Sequence, residues 1–242
     1  MKKLFLIILI APVLGFGQGV QRYADGIAID QEDNTFEWIN YGTQDWAIEN
    51  AEVVTYRDGT VIPQVTDASE WSNLTTGAWC YYSNDPSKGK LYNWYAVMGI
   101  HDNDENTPNK EFAPVGWRVP TDAEWTTLEN YLIANGYNYD GTTSQNKIAK
   151  AMASITGWNS STTTVQQAMT KLLNNSSGFN AFPEGYSNGS FYNEGSRAVF
   201  WSSTEHSASV AWYHYLYNSD SDLYRPVQEL QQQALRLFGA FC

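Results

Sequence analysis

GWRVPTDAEW, residues 116–125, carries two structural instructions within ten positions. Trp117, Val119 and the rigid Pro120 read as a short buried extended segment, and Thr121-Asp122-Ala123-Glu124 reads as a helix start. The Thr121 hydroxyl is placed to accept from the backbone N–H three residues on while Glu124 reaches back to the N–H of Thr121, the reciprocal pairing of a capping box. Pro120 disfavours helix geometry at Val119, which sharpens the boundary. A helix over roughly 122–135 puts Trp125, Leu128 and Leu132 on one face, and Gly136 supplies a left-handed stop. The stretch anchors a core and holds no chemistry of its own.

At the N-terminus, Lys2 and Lys3 precede the apolar run 4–14 and the small-residue string Gly15-Phe16-Gly17, the pattern of a signal peptide over residues 1–17. The run is shorter than the roughly 20 apolar residues a membrane-spanning helix needs. The expectation is therefore an exported chain, secreted or surface-associated, that begins at Gln18 and has no membrane span. Loss of the two lysines takes the formal charge from −12 to −14. No basic run remains, which argues against nucleic acid as a partner. A mature chain of about 225 residues fits one sizeable core. With 10 Trp and 16 Tyr against 17% charged residues, that core should be aromatic and the surface polar but weakly charged. Cys80 and Cys242 allow at most one disulfide, not a disulfide framework.

Residues 18–34 are polar and contain glycine, and read as a flexible lead-in. Around Tyr41-Gly42-Thr43, the pairs Trp38/Ile39 and Trp46/Ile48 predict two short strands. Arg57-Asp58-Gly59-Thr60 predicts a hairpin turn over 53–62. The runs 78–82 and 91–97 suit either buried strands or short helical turns. Helical spacing recurs over 145–155 and 165–173. Strand-like runs follow at 179–182, 189–192, 199–203, 211–217 and 223–225, an α+β order.

The succession Gly42-Thr43-Gln44, Glu49-Asn50, 77–82, 90–97, Ala113-Pro114 into GWRVPTDAEW, Ser177-Gly178-Phe179-Asn180-Ala181, Gly185-Tyr186 and Phe200-Trp201-Ser202-Ser203-Thr204-Glu205 resembles the Fibrobacter succinogenes major paralogous domain family. The resemblance covers about residues 35–225 and implies a C-type-lectin-like fold, amphipathic helices on short twisted antiparallel strands, serving as a binding scaffold. It also implies that, in some members, the segment after the Trp-Ser-Ser-Thr-Glu motif is varied by a diversity-generating retroelement. Two departures stand out. Phe182-Pro183-Glu184-Gly185-Tyr186-Ser187 replaces a Leu-Pro-Gly-Gly-Tyr-Arg run, and the tail 226–242 lacks the family ending Asn-Lys-x-Tyr-Gly-Phe-Ser-Val-Arg. One back-translation of residues 231–242, read one base later, gives Asn-Asn-Lys-His-Tyr-Gly-Phe-Ser-Val-Arg-Phe. A single-base frameshift near 225–227 is thus the hypothesis for the tail, whose Leu230, Leu235, Leu237 and Phe238 would suit an amphipathic helix.

Several motifs have plain readings. Gly185-Tyr186-Ser187-Asn188-Gly189 matches G-x-S-x-G, but that elbow requires a following helix; Ser190-Phe191-Tyr192 is strand-like, so a hairpin turn is expected. Asp102, Asp104 and Asn106 alternate as calcium ligands do, yet Thr107 stands where an EF-hand needs Gly and Ala113 where it needs Glu. His101, His206 and His214 have no partner at metal or triad spacing. No catalytic residue, metal or cofactor is assigned.

The remaining candidate is the segment 206–225. With Leu216 pointing inward, Tyr213, Tyr215 and Tyr217 would share the solvent face of one strand, where tyrosine offers large amphipathic contact area and Ser or Asn adaptable hydrogen bonds. Ordinary strand-formers would look the same. The expected ligand-binding residues are His206, Ser207, Tyr213, Tyr215, Tyr217, Asn218, Asp220, Asp222 and Tyr224, with a glycan or a surface protein as the partner. The alternatives are a hydrolytic or oxidising enzyme, which needs His206 or His214 beside Ser202, Ser203 or an acidic cluster, and a structural or defective envelope protein.

Overall fold

The computed structural model describes residues 22–160, 175–229, 234–235 and 240–241. Strands β1 (Gly26–Ile29), β2 (Thr35–Tyr41) and β3 (Gln44–Ala47) form an antiparallel ribbon. β2 turns into β3 over Gly42-Thr43, with Tyr41 opposite Gln44. Over the described part, residues 22–34, β1 corrects the reading of 18–34 as a flexible lead-in, because Gly26 to Ile29 pair in register with Trp38 to Thr35. The polar run that follows is a tight turn. The Asp30 carboxylate accepts from the N–H of Glu32 at 2.8 Å and of Asn34 at 2.9 Å, an Asx-type closure.

The hairpin expected over 53–62 has its turn, with Tyr56 N–H donating to Thr60 O at 2.8 Å, but only one bridge, Thr55 to Val61. Next come α1 (Ala68–Trp71), β4 (Trp79–Tyr81), β5 (Lys90–Asn93) and α2 (Trp94–Val97). The ambiguous run 91–97 is thus both strand and helix. Asn93 makes the switch: its Oδ1 accepts from Ala96 N–H at 2.9 Å, capping α2, and from Ala78 N–H at 3.0 Å.

Helix α3 (Asp122–Ala134) has both halves of the expected capping box. Glu124 Oε2 accepts from Thr121 N–H at 2.8 Å, and Thr121 Oγ1 from Glu124 N–H at 3.3 Å. At its far end Gly136 has φ 78°. Tyr137 N–H donates to Leu132 O and Gly136 N–H to Ile133 O, both at 3.1 Å, the paired bonds of a Schellman stop. Trp125, Leu128 and Leu132 are all fully buried.

The helix expected over 145–155 shrinks to α4 (Ala149–Met152). Ile148 and Met152 are buried as the spacing predicts, but the chain leaves the helix at Ala153 to bridge Ala181, and Ile155 is 57% exposed. The span 165–173 lies outside the described residues. That single bridge also replaces the strand expected over 179–182. The remaining strands are β6 (Glu184–Ser187), β7 (Phe191–Glu194), β8 (Arg197–Ser207), β9 (Val210–Tyr217), β10 (Val227–Glu229), β11 (Ala234–Leu235) and β12 (Ala240–Phe241). The G-x-S-x-G string is the end and turn of the β6–β7 hairpin, with Tyr186 opposite Tyr192.

The strands make three small sheets, ordered β1-β2-β3-β12, β10-β9-β8 and β4-β5-β11-β6-β7. Every named strand pair is antiparallel. In the tail, 234–235 and 240–241 are extended where a helix was expected: β11 bridges β5 and β6, and β12 pairs with β3. Mixed α+β architecture follows.

Strand β8 separates two aromatic cores. Ala198 and Phe200 face a cluster built on Trp46, Trp125, Phe179 and Leu216; Val199 and Trp201 face one built on Tyr56, Tyr92, Trp94 and Phe112. Alternation on a strand covered on both sides explains why its run 198–202 is buried throughout. Each indole in the second cluster that meets β8 finds a carbonyl: Trp201 Nε1 donates to Tyr92 O and Trp94 Nε1 to Ser202 O, both at 3.1 Å. Cys80 is a free buried thiol, its pKa pushed up to about 12 by burial.

Candidate ligand-binding face

The frame and the candidate site meet at β8. Pro120 O accepts from Ser203 N–H at 2.9 Å, and Thr204 Oγ1 accepts from Asp122 N–H at 3.1 Å. GWRVPTDAEW therefore fixes the end of β8, and β8 fixes β9 across it, with Phe200 opposite His214 and Trp201 opposite Tyr213.

On β9, His214 and Leu216 are buried toward α3, while Tyr213, Tyr215 and Tyr217 lie on the other face. That face is only partly a solvent face. Tyr213 and Tyr215 are half-buried against the second aromatic core, because Val199 and Trp201 sit beside them. Burial, with Tyr215 adjacent, pushes the Tyr213 hydroxyl up to about 12.

The tyrosines form a stack. Tyr215 is parallel to Tyr224 at 4.7 Å and 7°, and inclined to Tyr213 at 5.9 Å and 23°. The Arg197 guanidinium lies 4.9 Å from the Tyr215 ring and 5.0 Å from the Tyr217 ring, within cation–π range. Both faces of the Tyr215 ring are taken up by neighbours, Tyr224 and Tyr213 among them. Arg197 makes no ion pair among the described residues, and its Nε is buried without an acceptor. The Tyr224 hydroxyl donates to Asp220 Oδ2, which raises its pKa.

Of the expected site residues, Tyr213, Tyr215, Tyr217, Asp220 and Tyr224 are brought together. His206 is not, since it stands edge-on to Trp212 at 4.9 Å near the hairpin tip, where Ser207 is also exposed. Asn218 is tied to Asn159 O at 3.3 Å. Asp222 accepts from Ser221 Oγ at 2.9 Å and helps raise the pKa of Glu129, already raised by burial. Sequence reasoning missed Arg197, Tyr186 and Tyr192. Alternation in β8 puts Arg197 on the face of Val199 and Trp201, and Tyr186 stacks on Tyr192 at 5.5 Å and 29° across a hairpin read only as a turn.

The face opposite the tyrosines holds a buried polar contact. Asp122 Oδ1 lies 3.4 Å from His214 Nε2, and Arg225 forks onto both carboxylate oxygens from above the Trp212 ring at 3.7 Å. Burial alone would raise the Asp122 pKa, but His214 and Arg225 hold it well below the carboxylate range. Burial lowers that of His214 against the pull of Asp122. His214 is 1% exposed and neither ring nitrogen makes a well-formed hydrogen bond. Ser202 Oγ accepts from Thr204 N–H at 3.0 Å and Ser203 Oγ donates to Val119 and Pro120 carbonyls at 3.3 Å, so neither is bonded to the imidazole. The pair locks α3 to β9.

The alternating acidic loop closes on itself, Asp102 accepting from Asp104 N–H and Asp104 from Asn106 N–H, both at 3.0 Å. Among the described residues, no three His, Cys, Asp or Glu side chains converge as a metal site.

The order of these motifs, from the β2–β3 hairpin through α3 to the tail, is matched by the model of the Fibrobacter succinogenes major domain over residues 39–237. The chain belongs to the Fibrobacter succinogenes major domain family. No curated protein and no solved structure matches it significantly. The family match runs past residue 225, so this Fibrobacter succinogenes major domain includes β10 and β11.

Proposed function

We propose that the chain is an exported, non-catalytic binding module whose ligand lies on the tyrosine face. The observation that carries this reading is the Tyr213–Tyr215–Tyr224 stack with Arg197 set against it and without a carboxylate partner among the described residues. Tyrosine hydroxyls and a guanidinium that makes no ion pair among the described residues offer hydrogen bonds to a hydroxyl-rich or acidic ligand, which favours a glycan over a protein surface. A C-type-lectin-like fold is supported by the 13-residue capped helix, the longest among the described residues, the short antiparallel strands and the return of β12 to the N-terminal sheet. Export rests on residues 1–17, and among the described residues no helix is long and apolar enough to cross a membrane. Retroelement-driven variation would fall on 206–225, where Tyr, Ser, Asn and Asp dominate.

The test is a glycan and cell-surface panel probed with the full chain and with a Tyr213→Phe/Tyr215→Phe/Tyr217→Phe variant. Phenylalanine keeps the packing and removes the hydroxyls, so binding should be lost while the melting temperature holds.

A further inference from the structure

A second concavity lies apart from the tyrosine face, between the β2–β3 hairpin and residues 112–119. It encloses about 90 Å³, room for one aliphatic chain. Phe36, Val53, Phe112, Trp117 and Val119 make its walls apolar, with Trp117 edge-on to Phe36 at 5.0 Å. The cleft is pre-formed. Glu32 Oε1 accepts from Val54 N–H, Thr55 N–H and Thr55 Oγ1, each at 2.7 Å. Gln31 Nε2 donates to Thr55 O at 2.7 Å and Phe112 O at 3.1 Å. The turn 30–34 is thereby pinned across its rim.

Each titratable group lining the cleft is a carboxylate: Asp30, Glu49 and Glu52. Asp30 is occupied by the backbone of its own turn and by Asn34 Nδ2 at 2.9 Å. Glu52 is paired with Lys90 at 3.0 Å. Glu49 has no ion pair among the described residues; its largely exposed carboxylate is raised in pKa by partial desolvation at the cleft and then by the nearby Glu37 carboxylate, against a hydrogen bond from the Glu37 backbone. An aromatic-walled cavity with one carboxylate at its mouth outside any ion pair among the described residues repels anions and leaves a charge unmet by a neutral alkyl group. The complementary occupant is an apolar chain ending in a cation, which aromatic rings also attract.

We propose that this cleft binds a primary alkylammonium group, its chain between Phe36, Phe112 and Trp117 and its ammonium on Glu49. The same chemistry is offered by a free alkyl diamine and by a lysine side chain of a partner. Protein-observed NMR on the full chain, following the Trp117 indole N–H, tests it with n-butylammonium, cadaverine, Nα-acetyl-lysine N-methylamide and n-butanol as probes. Saturable shifts with the ammonium probes are expected in the millimolar range, with n-butanol at least about fivefold weaker. Glu49→Gln should reduce n-butylammonium to the level of n-butanol, and Glu49→Lys should abolish its binding; Glu49 is exposed, so both variants should melt as the parent does. Tighter binding of cadaverine assigns a free amine, and tighter binding of the lysine derivative assigns a partner's lysine. Equal binding of n-butanol and n-butylammonium, no saturation by any ammonium probe, or an unchanged Glu49→Gln variant overturns the proposal. The tyrosine-to-phenylalanine variant should bind the probes as the parent does, so the two sites fail independently.

Discussion

His214 lies flat on Trp125, the ring centroids 4.6 Å apart and the planes 15° from parallel. The imidazole thus completes the face of α3 that GWRVPTDAEW initiates, and it does so in a fully buried position beside Asp122. His214→Ala should cost about 2–3 kcal/mol through the cavity it leaves. His214→Phe keeps the stack, gives up the 3.4 Å contact to Asp122 while Arg225 still holds that carboxylate, and should stay within about 1 kcal/mol of the parent. Urea denaturation distinguishes the two.

The same residue sets a pH dependence. Burial places the folded pKa of His214 below its unfolded value, so the unfolded chain binds the extra proton and stability falls as pH drops below about 6.5. Asp122, depressed in the fold, loses its contribution only at much lower pH. Melting temperature should therefore decline from pH 7 to pH 5, and His214→Phe should flatten that decline. An unchanged slope would remove His214 as its cause.

The capping box predicts a local effect. Thr121→Ala leaves the Glu124 N–H without its side-chain acceptor and should cost about 1 kcal/mol. The change should appear in denaturant midpoint without altering ligand binding, because Pro120 and Asp122 hold β8 through backbone groups.

Gly185 is a sharper case. Its φ is 67°, and a Cβ there would fall 2.1 Å from Tyr192 O. Gly185→Ala must break the β6–β7 hairpin that stacks Tyr186 on Tyr192, so a lower melting temperature and reduced hydrogen-exchange protection over 184–194 are expected.

The family match runs to residue 237, across residues that a frameshift near 225–227 would place out of frame, and the gene decides between the two. Sequencing the codons for 225–242 should reveal the Asn-Asn-Lys-His-Tyr-Gly-Phe-Ser-Val-Arg-Phe ending one base on, and a frame-restored chain should melt higher than this one. Codons without that neighbouring reading would end the idea.

What could be read from sequence was local. The Thr121–Glu124 box, the Gly42-Thr43 turn and the burial of Trp125, Leu128 and Leu132 depend on neighbours in the chain, and each was visible as a pattern. What could not be read was tertiary. Gly26 to Ile29 look like a polar lead-in because their partner is β2, and helix spacing over 145–155 gave way to the bridge from Ala153 to Ala181. In the site, alternation put the three tyrosines on one face but could not show that Val199 and Trp201 half-cover it. Arg197 was hidden for the same reason, its role fixed by the register that sets it opposite Tyr217.

The most direct measurement of the account is binding of the Tyr213→Phe/Tyr215→Phe/Tyr217→Phe variant across the glycan and cell-surface panel, beside its melting curve. The tyrosine face predicts an unchanged melt with loss of the parent's binding signal. Parent-like binding by the variant would contradict it.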